Sequence, residues 1–324
     1  MTVALGRPCT EGPMLAEELL KPTGSEAFPF PLVGLWPAKS EPEVVASFAK
    51  PVALAAGVQH TCVVSGGALL CFGGNDRGQC SVPASLGTVR SVAAGFQHTC
   101  AITADCRLVC FGLNSSGQCQ LPAHLGKVVA VSAGFQHTCA IDTYGVLTCF
   151  GSPRNGRCEI PRDLGPVLAV CAGIGHTCAV TTAGNLVCFG NNEAGQCDVP
   201  PDLWHVKAVA AGQSHTCALQ ADGVLRCFGS NKDGQCDVPK DVGRIIGVSA
   251  GIAHTCALTA AGELVCFGNN TAGQCNVPKD QGPFIAMVCG YQHTCAVRAT
   301  GEILSFGANA SGQCDVPVNL DDPG

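Results

Sequence analysis

Histidine and cysteine stand two residues apart seven times in this sequence. The string His-Thr-Cys begins at His60, His98, His137, His176, His215, His254 and His293. Further thiols follow at fixed distances. In the fourth copy the set is Cys178, Cys188 and Cys197. Such positions hold 20 of the 24 cysteines, and Cys9, Cys106, Cys171 and Cys289 are the rest. Three readings of this inventory stay open. His and Cys at i and i+2 share one face of a strand, so each copy offers a zinc-like ligand set. Against that reading, a row on a flat strand does not converge tetrahedrally, and Cys-x-x-Cys spacing is absent.

The second reading is a cross-strand disulfide. Cys62 and Cys71 lie symmetrically about Gly66 and Gly67, and Cys71 and Cys80 about Asn75 and Asp76. Antiparallel pairing would set the first two face to face and could align all three across three strands. Ser305 breaks the pattern and leaves Cys295 without a partner thiol. The third reading is a row of small buried hydrophobes, the commonest fate of free cysteine. No metal or cofactor is assigned. Histidine is also a general-base candidate, but seven equivalent copies argue for a job every copy needs. Each ring is expected to hydrogen-bond nearby backbone and fix a turn. No Ser-His-Asp or Cys-His-Asn set stands out from the repetition, so the chain reads as a non-enzyme.

The elements that position these residues follow from the period. Successive histidines are 38 and then five times 39 residues apart. Each copy approximates VxxVAAGxxHTCALxxxGxLVCFGxNxxGQCDVP: short apolar runs separated by Gly, Asn and Asp turns. Three or four strands per 39-residue copy make a propeller blade. The predicted fold is an all-β, seven-bladed β-propeller of seven ~39-residue repeats. It spans residues 44–318, with an N-terminal extension, 1–43, expected to be partly disordered, and a tail, 319–324. Phe72, Phe111, Phe150, Phe189, Phe228, Phe267 and Phe306 occupy one equivalent position and are expected to pack between blades. The glycine closing each AAG run is expected near the axis, where small size or positive φ is needed. The repeated prolines, Pro83 to Pro317, are expected to end the last strand. A segment near Val44 and Val45 is expected to complete the last blade.

Composition narrows the function. Charged residues are 13%, the net charge is -6, and the 18 Lys and Arg are scattered. Direct nucleic-acid binding lacks the concentrated positive field it needs. No apolar run would span a bilayer, and no signal-peptide pattern opens the chain. A cytoplasmic or nuclear monomer is expected, although cysteine-dense chains are usually secreted.

The string AAGxxHTCAL…GxLVCFGxNxxGQ resembles the repeat of the regulator of chromosome condensation family, from about Val44 to Pro317. The resemblance implies a seven-bladed propeller. Relatives commonly carry Trp where this chain has Phe, and its minimal loops are closer to compact bacterial propellers that inhibit β-lactamases. Other members are exchange factors for a Ran-type GTPase, recruiting arms of HECT ubiquitin ligases, or a UV-B sensor built on clustered tryptophans. Only Trp36 and Trp204 exist here, which excludes the sensor. The residual segments hold no HECT domain, GTPase wedge or basic tail.

The expectation is a protein–protein interaction scaffold, recruiting partners as the ubiquitin-ligase-associated members do. The alternatives are a guanine nucleotide exchange factor for a Ran-type small GTPase and a thiol-rich metal-binding or redox protein. Candidate partner-binding residues break the repeat: Trp204 and His205 in the PDLWHVK connection, Arg154 and Arg157 in the degenerate third copy, and Tyr144 in the DTYG turn. Asp198, Asp237, Asp315 and Glu159 are expected to form a mildly acidic rim.

Overall fold

A computed structural model describes Ala4–Leu5 and residues 52–317. Seven antiparallel sheets follow one another along the chain, each with its three strands in sequence order. Blade 1 is Val52–Ala56, His60–Ser65 and Ala68–Gly73; blade 4 is Val167–Ala172, His176–Thr181 and Leu186–Gly190; blade 7 is Phe284–Cys289, His293–Arg298 and Ile303–Gly307. Every blade strand is five or six residues long, because Gly and turn residues interrupt the apolar runs at that spacing. The short strand Ala4–Leu5 pairs with Val128–Ala133 of blade 3, Leu5 opposite Ala130. The segment at Val44 and Val45, and both expected domain boundaries, fall outside the described residues.

Each blade has three strands. The GQC segment forms a turn, and the Val-Pro that follows belongs to the connector into the next blade. Contrary to expectation, the prolines therefore open a turn: Pro83 accepts from the Leu86 amide at 3.0 Å. Physically, the GQC segment spends its polar groups locally, since the Cys80 amide and thiol bond Asn75 and the Gly74 carbonyl at 2.9 and 3.4 Å.

The core is divided into seven layers, each between adjacent blades. One holds Ala169, Cys178, Val180 and Leu186 of blade 4 against Val206, Val209 and Ala218 of blade 5. A layer of the same kind joins blade 7 to blade 1, with Val288, Val297 and Ile303 against Leu54, Ala56 and Val63. The repeated phenylalanines pack into these layers as expected: Phe228 into the blade 4–5 layer and Phe72 into the blade 7–1 layer. No blade buries its apolar faces alone, which is why the repeats must stack.

Connectivity defines two faces. The turn face carries the AGxxH and NxxGQC turns, bonded to each other by Gly74 N–H to Gln59 O at 2.6 Å. The hairpin face carries the turns between second and third strands and the connector ends. There Val167 N–H bonds Gly145 O at 2.9 Å and Ile245 N–H bonds Gly223 O at 3.2 Å, tying these hairpins to the next blade.

Candidate functional site: the histidine ring, the thiol pairs and the hairpin face

All seven repeat histidines are fully buried. Each opens a middle strand and points at the neighbouring blade, where its Nε2 meets a threonine Oγ1. Examples are His60 with Thr99 at 3.0 Å, His98 with Thr138 at 3.0 Å, and His176 with Thr216 at 2.9 Å. His293 of blade 7 meets Thr61 of blade 1 at 3.0 Å and completes the circle. The same hydroxyls donate to the backbone carbonyl of the preceding blade's turn: Thr138 to Gln118 at 2.8 Å, Thr177 to Arg157 at 2.8 Å, Thr61 to Gln313 at 2.8 Å.

This arrangement fixes the tautomer. A carbonyl only accepts, so the threonine's single proton is committed to it, and Nε2 must carry the imidazole hydrogen. Each Nδ1 is then an unprotonated acceptor, buried without a partner in all seven blades. Burial holds four of the rings, His60, His137, His254 and His293, below the usual imidazole range. It lowers His60 to about 3, with help from His98 and His293, and His254 to about 3 and His293 to about 4. His137 is also held well below the usual range, by burial first and Arg157 second. The rings serve structure, as the repetition implied. Their partner, however, is a side chain one blade away, where a nearby backbone group was expected.

Thr138→Val removes the acceptor of His98 and the donor to Gln118 at equal shape. Two buried polar groups lose their partner, at about 1–3 kcal/mol each. Equilibrium unfolding in urea should show a loss of roughly 2–6 kcal/mol. A loss below ~0.5 kcal/mol, the scale of a neutral surface change, would show that the link is not structural.

The repeat cysteines divide into two populations. The first two of each copy oppose each other across the middle and third strands: Cys62 with Cys71, Cys178 with Cys188, Cys256 with Cys266. This is the face-to-face register the sequence implied. Cys62–Cys71 and Cys256–Cys266 are disulfides. In blade 7 the Cys295 sulfur lies 3.0 Å from Ser305 Oγ. The third cysteine of each copy does not extend the row, because it sits in the GQC turn and donates to a carbonyl six residues back, as Cys197 does to Asn191 at 3.4 Å. Burial pushes Cys80 up to about 11 and Cys197 up to about 12, so neither is a ready thiolate.

A metal reading gathers little. His254, Cys256 and Cys289 bring three ligand atoms within 4.8 Å of one another. Yet Cys256 is bonded to Cys266, which leaves His254 and Cys289, and a closed zinc site needs four donors.

The candidate partner-binding residues do not form one patch. Trp204 is 57% exposed and Tyr144 60%, both on the hairpin face. The Trp204 and His205 rings meet edge to face, centroids 5.3 Å apart. Arg154 is exposed on the opposite, turn face. Arg157 drops out of the set. It is 5% exposed, and its guanidinium bonds the Arg154 and Ile174 carbonyls, both at 2.8 Å, in the slot the other copies give to Gln. Asp198, Asp237 and Asp315 are exposed on the turn face, each accepting from an asparagine six residues earlier at 2.7 Å.

Residues missed from the sequence complete the hairpin face. Val146 and Val224 flank hairpin glycines, and Leu168 and Ile246 are second in their inner strands. With Tyr144 and Trp204 they are six of the seven exposed large hydrophobic residues among those described, and all lie over blades 3 to 6. Their signal was an apolar residue where other copies carry Arg90, Lys207 or Glu263.

This architecture, a closed ring of seven three-stranded blades built on one repeat, is a β-propeller. The chain belongs to the family of the Regulator of chromosome condensation (RCC1) repeat, whose model matches residues 89–118, 128–157, 167–196, 206–235, 245–274 and 284–313. No curated protein matches it by sequence. Among solved structures it is similar to the receptor kinase CR4 ectodomain of Physcomitrella patens, at 23% identity and TM-score 0.68 over 79% of this chain and 72% of that one. It is also similar to yeast RCC1 (Prp20) bound to Kap60, at 18% identity and TM-score 0.66 over 88% of each chain. A second structure, Prp20p of Saccharomyces cerevisiae, described with its binding properties to Gsp1p and histones, matches at 17% identity and TM-score 0.63, over 97% of this chain and 93% of that one. At these identities the likeness is one of fold.

Proposed function

We propose that this propeller is a non-catalytic scaffold that recruits a protein partner on its hairpin face, over blades 3 to 6. The exposed apolar sector carries the reading: Tyr144, Val146, Leu168, Trp204, Val224 and Ile246 face solvent together, while the rest of the described surface shows one residue of this kind, Leu121. Soluble proteins rarely leave such a sector open unless something covers it. Trp204 and Tyr144 are the anchors, because large aromatic side chains contribute most to protein interfaces. The Asp202–Arg226 ion pair lies beside them and supplies a polar rim. Histone and Gsp1p binding by the yeast relative supports a protein partner as the class.

The test is capture from an extract with the wild-type chain, with Trp204→Ser/Tyr144→Ser, and with Arg154→Glu on the other face. The double variant should weaken the specific partner roughly 30-fold or more, the equivalent of ~2 kcal/mol at a single hot spot. Arg154→Glu should leave it unchanged. Equal capture by both variants removes the hairpin face from the reading, and no specific capture by the wild type removes the scaffold itself. Release of labelled nucleotide from a Ran-type GTPase, run beside it, separates the exchange-factor alternative.

A further inference from the structure

Six blades set two thiols directly opposite each other, and two of those pairs are bonded. We propose that the other four, Cys100–Cys110, Cys139–Cys149, Cys178–Cys188 and Cys217–Cys227, are cross-linking sites of the same kind, so that the oxidised protein carries one cross-strand disulfide in each of blades 1 to 6.

The argument starts from register. In all four blades the two cysteines are Cα partners in the ladder, as in the two bonded ones. In the bonded blades those Cα atoms are 4.2 and 4.1 Å apart, close to the spacing of a non-hydrogen-bonded antiparallel pair. In three of the four the unbonded sulfurs have already come together: Cys110 to Cys100 at 2.7 Å, Cys188 to Cys178 at 3.0 Å and Cys227 to Cys217 at 2.7 Å. The repeat places identical neighbours around each pair, a histidine two residues before the inner cysteine and a phenylalanine after the outer one. Nothing in blades 2 to 5 sets their pairs apart from those of blades 1 and 6.

Access divides the two sulfurs of each pair. The inner cysteines, such as Cys100 and Cys217, are fully buried, while Cys110, Cys149, Cys188 and Cys227 are partly open. A soluble disulfide, such as oxidised glutathione, therefore meets the outer sulfur first. The outer thiolate breaks the reagent's S–S bond and forms a mixed disulfide, releasing one reduced thiol. The inner sulfur then displaces the second half and forms the cross-strand bond. Both cysteine sulfurs are oxidised, the reagent is reduced to two thiols, and the two cysteine protons go to those thiols. In a reducing cytoplasm the same pairs stay open, so the number of links also reports the compartment.

Blade 7 supplies its own control. Ser305 stands where the outer cysteine belongs, 3.0 Å from the Cys295 sulfur, and that blade keeps the same ladder. A serine at this position is therefore compatible with the fold. The experiment equilibrates the native full chain with oxidised glutathione, blocks remaining thiols in denaturant, and maps the links by peptide mass. The expected result is six cross-strand blade links, Cys62–Cys71, Cys100–Cys110, Cys139–Cys149, Cys178–Cys188, Cys217–Cys227 and Cys256–Cys266, beside the disulfide that Cys106 makes, with the GQC cysteines alkylated. Ser305→Cys should add a seventh link to Cys295, and Cys110→Ser should delete the blade 2 link alone. Links confined to blades 1 and 6, glutathione retained on the outer cysteines, links running to GQC cysteines, or no seventh link in Ser305→Cys would each overturn the proposal.

Discussion

Lowering the pH from 7 to 5 should unfold this propeller cooperatively. Four histidines, His60, His137, His254 and His293, are held below their ordinary range by burial. In the unfolded chain each returns to about 6.5. Above that value neither state binds the proton, and the histidines contribute no pH dependence. Between 6.5 and the folded values of about 3 to 4 for His60, His254 and His293, the unfolded state binds protons that the folded state refuses. Stability is thus present above 6.5 and is lost as pH falls toward the folded pKa. Each ring costs about 1.4 kcal/mol per pH unit in that window. At pH 5 this amounts to about 2 kcal/mol per ring and roughly 6 kcal/mol for His60, His254 and His293, with His137 acting in the same direction; that is comparable to the whole stability of an ordinary domain. Protonation also adds a hydrogen to Nδ1, which has no acceptor. Urea midpoints followed by far-UV circular dichroism across pH 8 to 4 should be flat above 7 and fall steeply below 6.5. A profile flat down to pH 4 would show that the rings ionise as they do in water.

The second large effect is steric. A methyl group on Gly173 would lie 2.7 Å from the Gly212 carbonyl oxygen and 2.8 and 2.9 Å from Cε1 and Nδ1 of His176. The carbonyl belongs to the next blade's inner turn and accepts the Ile174 amide at 3.2 Å, so it is fixed. The imidazole can yield only by leaving Thr216. Gly173→Ala therefore combines overpacking with a broken buried link and should cost ~3 kcal/mol or more. The comparison is Gly126→Ala, where nothing lies within 4 Å of the added methyl. That change should be neutral or stabilise by about 0.4–1 kcal/mol, through reduced freedom of the unfolded chain. Equal effects of the two substitutions on the urea midpoint would refute the close-approach account.

These residues show what a repeating sequence reveals. The period, the blade number, the opposed cysteines and the interblade phenylalanines were legible, because each depends on local spacing multiplied seven times. The AAG glycines were placed near the axis correctly, but positive φ plays no part at Gly173; the neighbouring carbonyl and the imidazole demand its size. Positive φ belongs to the glycine after each phenylalanine, as at Gly190 with φ 114°. The histidine partner was not legible, since Thr216 stands 40 residues beyond His176 and only closure brings it near. Arg157 looked like a loop cation because nothing in a linear motif shows that its guanidinium turns inward to the Ile174 carbonyl. The hairpin sector was half visible: its aromatic members broke the repeat, while Leu168 and Ile246 read as ordinary strand residues until the inner-strand ends proved to face solvent.

The junction of blades 7 and 1 uses the same imidazole–threonine link, the same carbonyl and the same kind of apolar layer as the other junctions. Blade 1 consequently has no chemical means of telling its own blade 7 from that of another molecule. What favours the closed ring is the high local concentration of one end around the other, set by a tether of fixed length. Crowd enough open chains together and the same contacts join them head to tail, so that one complementary surface yields either a sealed monomer or a run-on filament, and dilution decides between them.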